Sequence, residues 1–280
     1  NIDGAIGGGT ALAGLDITGT TTISGVAITT NNAQIDFNSA ITLDTGAVSI
    51  SSGTGIGDIN FDSTVDGGQD LSINAGTGTV NIDGTFGGTM ALMALGGLDI
   101  TGSTVISGVN ITTNNGQMDF NGAITLDTGT VNISSDGTLN ISVGVFGINF
   151  ASTVDGAQAL TVTAGTGTVT ISGAMGATTK LTSTTFTGGD FSINASLATS
   201  TGNISLSATN DVILADAGDL TSTSGNIFVT AHNNNGVGVS GALSMAAGTI
   251  IDAGSGTIAL SSYENLTLGR VVTTNTSNTA

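Results

Sequence analysis

Along most of this chain apolar and polar side chains alternate one by one for a few positions and then break at a glycine or an asparagine. In LSINAGTGTVNIDG, from Leu71 to Gly84, the apolar positions are Leu71, Ile73, Val80 and Ile82, with Ser72, Asn74, Thr79 and Asn81 between them. A period of two puts the first set on one face of a strand and the second on the other. The AGTG between the two halves supplies a corner. The same pattern returns as LTVTAGTGTVTISG, Leu160 to Gly173, 89 residues on. Looser echoes are STGNISLSA from Ser200, TSGNIFVTA from Thr223 and GSGTIALSS from Gly254, which set Ile204 and Ile227 23 residues apart and Ile227 and Ile258 31 apart. Short strands joined by tight corners and reused many times predict an all-β chain wound as a parallel β-helix, a β-solenoid.

A longer repeat contains these short ones. Gly14 to Ser52 aligns without a gap with Gly97 to Ser135 at an offset of 83, whereas STVDG recurs at Ser63 and Ser152, an offset of 89. Six residues are therefore gained where Gly53 to Phe61 faces Asp136 to Phe150, as expected of an excursion from a solenoid corner. The sequence divides into a first unit over 1–80, a second over 81–169, divergent coils over 170–270 and a tail over 271–280. NIDGAIGG at Asn1 resembles NIDGTFGG at Asn81, so the chain starts in mid-repeat and reads as a section of a longer polypeptide or as a subunit stacking end to end. With three short strands and three corners taking roughly 20 residues, each large unit is about four coils, and the chain about 14 coils in a rod ~65–70 Å long. The stretch from His232 to Gly248 is the expected place for an extra loop, and the tail is expected to fray or to continue.

Alternation also names the core. Phe37 and Phe120 hold the same place in the two units, as do Phe61 and Phe150. Together with Leu71, Ile73, Val80, Ile82 and Val169 they are expected inside, the rings stacking on one another.

Composition narrows the function. The chain carries 45 Gly, no Pro, Cys or Trp, and only 8% charged residues. Lys, Glu, Arg and Gln, which dress the surfaces of helices, are nearly absent, so long helices are not expected. Two basic residues, Lys180 and Arg270, stand against twenty acidic ones, for a formal charge of −18. Without a basic footprint neither nucleic acid nor an anionic lipid surface is a partner. The longest apolar candidate, Gly87 to Ile100, is too short for a transmembrane segment and contains Asp99.

Candidate chemistry is sparse. His232 is the only histidine, so a Cys–His pair and a His/Cys zinc site are excluded, and a lone loop histidine is expected to be solvated. Carboxylates on adjacent coils can stand ~5–9 Å apart, the separation used in glycoside hydrolysis. The Asp residues, however, recur in turn positions, Asp44 with Asp127 and Asp66 with Asp155, as a scaffold would reuse them. No enzyme is expected. The turn VDGGQD, Val65 to Asp70, approaches a calcium-binding repeat, but its counterpart VDGAQA has lost the second Gly and the second Asp. The expectation is no cofactor and no calcium roll, only weak surface calcium at Asp66, Asp70 and Asp155. Outward threonines, as in TGTTTIS from Thr18 and TGSTVIS from Thr101, suit weak carbohydrate binding, but their spacing varies too much between coils for an ice lattice.

The strings LTVTAGTGTVTISG, STSGNIFVTA and DAGSGTIALSS resemble the degenerate repeats of filamentous-haemagglutinin-type exoproteins, and the likeness runs over essentially the whole chain. That resemblance implies a right-handed parallel β-helix shaft, secretion to the bacterial surface or beyond, and work in adhesion or biofilm contact. It also implies host or neighbour-cell glycans or proteins as partners. No Arg-Gly-Asp triplet is present, so no receptor-binding residue carries over. The chief alternative is a self-assembling extracellular fibre or sheath subunit, and a weaker third is a carbohydrate-binding or polysaccharide-processing β-helix.

Overall fold

A computed structural model of the chain describes residues 1–88, 94–135, 146–232 and 241–274. They form a parallel β-solenoid built from short strands, most of three residues, and in the majority of these three-residue strands both ends are buried and the centre is turned outward. Two compact units, Asn1–Phe146 and Gly147–Ala280, make up the chain. No helix among the described residues is long and apolar enough to cross a membrane.

The first unit has three stacks of parallel strands. The first face runs through Leu15–Ile17, Ile35–Phe37 and Ile59–Phe61 to the second half of the strand Leu71–Ile82, then to Thr104–Ile106 and Ile124–Leu126. The second face runs through Thr21–Ile23, Ile41–Leu43 and Val65–Asp66, then by single bridges through Phe86 to Ile111, and on to Val131–Ser134. The third takes Ala27–Thr29, Val48–Ser51, the first half of Leu71–Ile82, Leu98–Thr101 and Met118–Phe120. Partners lie 20 residues apart at Leu15↔Ile35, 24 at Ile35↔Ile59 and 27 at Leu71↔Leu98, so a coil is often longer than the 20 residues expected.

The long repeat is not in phase with the coil. Leu15–Ile17 lies on the first face, but its repeat equivalent Leu98–Ile100 lies on the third. Phe37 is on the first and Phe120 on the third, while Ile41 is on the second and Ile124 on the first. Eleven strand segments separate a residue from its copy, counting the halves of Leu71–Ile82 and the Phe86 bridge separately. Eleven is three coils of three with two left over, so the copy is turned by one face. The same sequence can sit on any face because each face asks only for two inward apolar residues and a corner.

All nine residues expected inside are buried, at 1% exposure or less. Phe37 and Phe61 stack face to face at 5.3 Å, and Phe61 meets Phe86 edge-on at 5.0 Å, which ties the first face to the second. At the corners, buried hydroxyls close the turn. Thr30, Thr113 and Thr199 each donate to the carbonyl three residues on, those of Ala33, Gly116 and Gly202. Asn32 and its copy Asn115 take left-handed backbone angles there, φ 54° in both, a conformation that asparagine tolerates better than most residues.

The second unit repeats the plan. One stack runs from Ile148–Phe150 through Val169–Ile171, Phe191–Ile193, Val212–Leu214 and Leu243–Met245 to Leu266–Thr267. Another joins Leu197–Thr199, Leu220–Ser222, Ile250–Asp252 and Arg270–Val272. The third is wider, with strands Ala159–Thr163, Ser183–Gly188, Ile204–Ala208, Ile227–Ala231 and Ile258–Ser262. The echoes at Ile204, Ile227 and Ile258 are direct register partners, so their spacings of 23 and 31 are coil lengths. The expected excursion at Asp136 to Phe150 and the expected loop at His232 to Gly248 fall largely on 136–145 and 233–240, outside the described residues. Of the tail, Val271 and Val272 pair with the preceding coil, and 275–280 lie outside.

Candidate functional site

Asp and Asn residues at the corners act on the coil that follows. Asp155 Oδ1 accepts from the backbone N–H groups of Thr178, at 2.8 Å, and Thr179, at 3.1 Å. Asp58 accepts from Thr79, Asp190 from Asp211, Asp211 from Ala242 and Asp219 from Ile250, in each case 21 to 31 residues on. A carboxylate so placed satisfies an amide that the corner would otherwise leave unpaired, and the charge strengthens the bond. These staples are what sequence reasoning missed, because the partner of each Asp is a backbone group one coil away.

The three calcium candidates have separate placements. Asp155 is occupied with two amides of the next coil, those of Thr178 and Thr179. Asp66 lies in the strand Val65–Asp66, where burial pushes its carboxyl above the usual carboxylate range against the N–H of Gly88 and the hydroxyl of Thr64. Its Oδ1 is buried with no hydrogen-bond partner among the described residues. Asp70 folds over the backbone of Gly96, where an added Cβ would meet its Oδ1 at 2.6 Å. Among the described residues no three carboxylate or imidazole groups converge as a metal site would require.

Asp70 instead lines a groove of about 510 Å³ on the outer side of the third face, with Ser72, Asp99, Gln117, Asp119 and the exposed ring of Phe146. Asp99 and Asp119 are register partners on adjacent strands. Burial, and then the neighbouring Asp119, push the Asp99 carboxyl above its usual range, while the Asn121 amide opposes the shift. Asp99 remains accessible to water, which keeps this effect small. Asn121 Nδ2 donates to Asp99 Oδ1 at 2.7 Å, and Gln117 Nε2 donates to both oxygens of Asp119. Each carboxylate of the pair is therefore tied to an amide.

The same network stands on the first face. Asn38 Nδ2 donates to Asp16 at 2.6 Å and Gln34 Nε2 to Asp36 at 2.8 Å, with Asp16 and Asp36 as register partners. The spacing was readable in QIDFN and QMDFN, each with an Asp 20 residues before its own. The groove was not, because it depends on which coil brings Phe146 beside the pair.

The basic residues and the histidine sit elsewhere. His232 lies edge-on to Tyr263, the ring centroids 6.2 Å apart. Lys180 Nζ donates to the Thr223 hydroxyl at 2.9 Å, and Arg270 opens the last described strand. Compared with family models, with curated proteins and with solved structures, the chain finds no match.

Proposed function

We propose that this chain is a structural β-solenoid module, a length of the shaft of a large bacterial surface or secreted adhesin that holds binding parts away from the cell. The observation that carries the reading is the Asp–Gln–Asn network, made once on the first face from Asp16, Gln34, Asp36 and Asn38, and again on the third from Asp99, Gln117, Asp119 and Asn121. Catalysis needs one constellation in one environment. A network that recurs on two faces serves what both copies share, the joining of neighbouring coils. The module is therefore not an enzyme in this reading.

The resemblance to filamentous-haemagglutinin-type repeats supports the adhesin assignment, a location at the bacterial surface or outside the cell, and right-handed winding. With register steps of 20 to 31 residues, the chain makes fewer coils than the about 14 that 20 residues per coil would give. A net charge of −18 keeps such a module soluble and off its own anionic envelope. A fibre or sheath subunit is the second reading. Parallel register from coil to coil lets one copy seat on the next as readily as one coil seats on another.

Imaging of the native material separates the two. Thin fibrils anchored singly in an outer membrane support the adhesin shaft. A lattice, tube or bundle of identical short subunits overturns it in favour of assembly.

A further inference from the structure

The wide stack of the second unit differs from the other surfaces in what it turns outward. Its strands have five or six residues, against two or three in the other two stacks of that unit. Two outward rows run across it in register. One is Thr161, Thr185, Ser205, Phe228 and Ala259; the other is Thr163, Thr187, Ser207, Thr230 and Ser261. None of these eight hydroxyls makes a hydrogen bond within the chain among the described residues. Threonines nearby behave differently: Thr182, Thr199 and Thr249 all donate to backbone carbonyls.

Charge is the second distinction. No strand of this stack contains Asp, Glu, Lys or Arg, in a protein with twenty acidic residues. The first face of the other unit, by contrast, turns out Asp16 and Asp36, and its third Asp99 and Asp119. The third distinction is the ring of Phe228, 36% exposed in the middle of the hydroxyl rows.

We propose that this face binds a neutral, flat-faced polysaccharide, its hydroxyls exchanging hydrogen bonds with the Thr and Ser rows and a sugar ring lying on Phe228. Five strands at ~4.8 Å spacing and about 16 Å long make a patch of roughly 300 Å². A stable protein interface needs about 800 Å² from each partner, so the patch is too small to hold a second copy by itself. A polysaccharide engages such a patch weakly and gains from many copies along a surface. An acidic polymer would be repelled by the −18 charge. Ordered water is the other occupant that a hydroxyl lattice suits, but Phe228 and Ala259 interrupt the first row, and the aromatic ring favours sugar. This proposal adds to the shaft reading and does not rest on it, since the face would bind equally on a shaft or on a sheath subunit.

The test is retention of the whole chain on microcrystalline cellulose and on chitin, with heparin and pectin as charged comparators. Retention on a neutral matrix but not on the charged ones is expected. Thr187→Asp/Ser207→Asp should weaken it about tenfold or more, while Thr125→Asp, at an exposed strand position in the other unit, should leave it unchanged. Far-UV circular dichroism and the melting temperature establish that the variants fold. Phe228→Ala, which removes an outward ring and no packing inside, gives an independent reading and should also lower retention several-fold. No retention of the wild type on either neutral matrix, retention indifferent to both sets of changes, or ice shaping lost in the double variant would overturn the proposal.

Discussion

Replacing Phe61 by alanine probes the packing that joins two faces of the first unit. Phe61 is fully buried, stacks on Phe37 at 5.3 Å and receives Phe86 edge-on at 5.0 Å. Truncating a buried Phe costs about 3–5 kcal/mol through lost transfer energy and the cavity left behind. Two ring contacts, each contributing about 0.5–1.5 kcal/mol, place this site at the upper end, about 5 kcal/mol. Register pairing holds the strand Ile59–Phe61 between Ile35–Phe37 and Val80–Ile82, so the backbone has little room to collapse into the cavity. Phe61→Leu keeps most of the buried area and loses the ring contacts, for about 1.5 kcal/mol. Urea unfolding followed by far-UV circular dichroism reads both. A double-mutant cycle with Phe37→Leu should return a coupling of about 0.5–1.5 kcal/mol. A loss below about 1 kcal/mol for Phe61→Ala, or no coupling in the cycle, would refute the stacked aromatic core.

Other sites give further outcomes. Gly84 and its copy Gly173 pass so close to the preceding coil that a Cβ would run into the backbone of Ser63 and Ser152, so alanine at either should cost about 3 kcal/mol by thermal melting, and a neutral result would mean that coils are spaced differently. Asp155→Ala removes the acceptor of two amides and should cost about 2 kcal/mol whether or not millimolar calcium is present; a melting temperature that calcium raises in the wild type but not in the variant would make Asp155 a ligand instead. For Asp99 the folded carboxyl is pushed up, so folding takes up protons between the usual carboxylate range and the raised value, and stability is lost as pH rises through that window. Asp99→Asn should therefore be slightly more stable than wild type at neutral pH, with the gain vanishing below about pH 4, the unfolded range; Asp62→Asn, another exposed carboxylate, controls for net charge, and an equal gain there would remove the role of Asp119.

Much of this was legible because the solenoid writes itself in a short period. Alternation at Leu71, Ile73, Val80 and Ile82 identified the inward residues, and the 23- and 31-residue spacings of Ile204, Ile227 and Ile258 gave register directly. The turn of the long repeat by one face was not legible. An alignment orders Phe37 against Phe120 but carries no corner angles, and eleven segments fall on a coil of three only when the pairing is known. Asp155 read as a turn former or a cation ligand because its true partners, the amides of Thr178 and Thr179, belong to the next coil and leave no trace in side-chain identity. The neutral face was hidden for a related reason. Thr187, Ser207 and Thr230 look scattered in sequence, and only register lines them up.

In the first unit the second copy of the long repeat lies one face on from the first. The chain contains no cysteine, so an introduced pair reports without background. Ser72 and Asp99 are register partners on adjacent strands, whereas a repeat in phase with the coil would set Asp99 opposite Asn81. Neighbouring strands at ~4.8 Å lie within the Cα separation a disulfide spans. Mild oxidation should close Ser72→Cys/Asp99→Cys rapidly and leave Asn81→Cys/Asp99→Cys reduced. Closure of the second pair in place of the first would contradict the account.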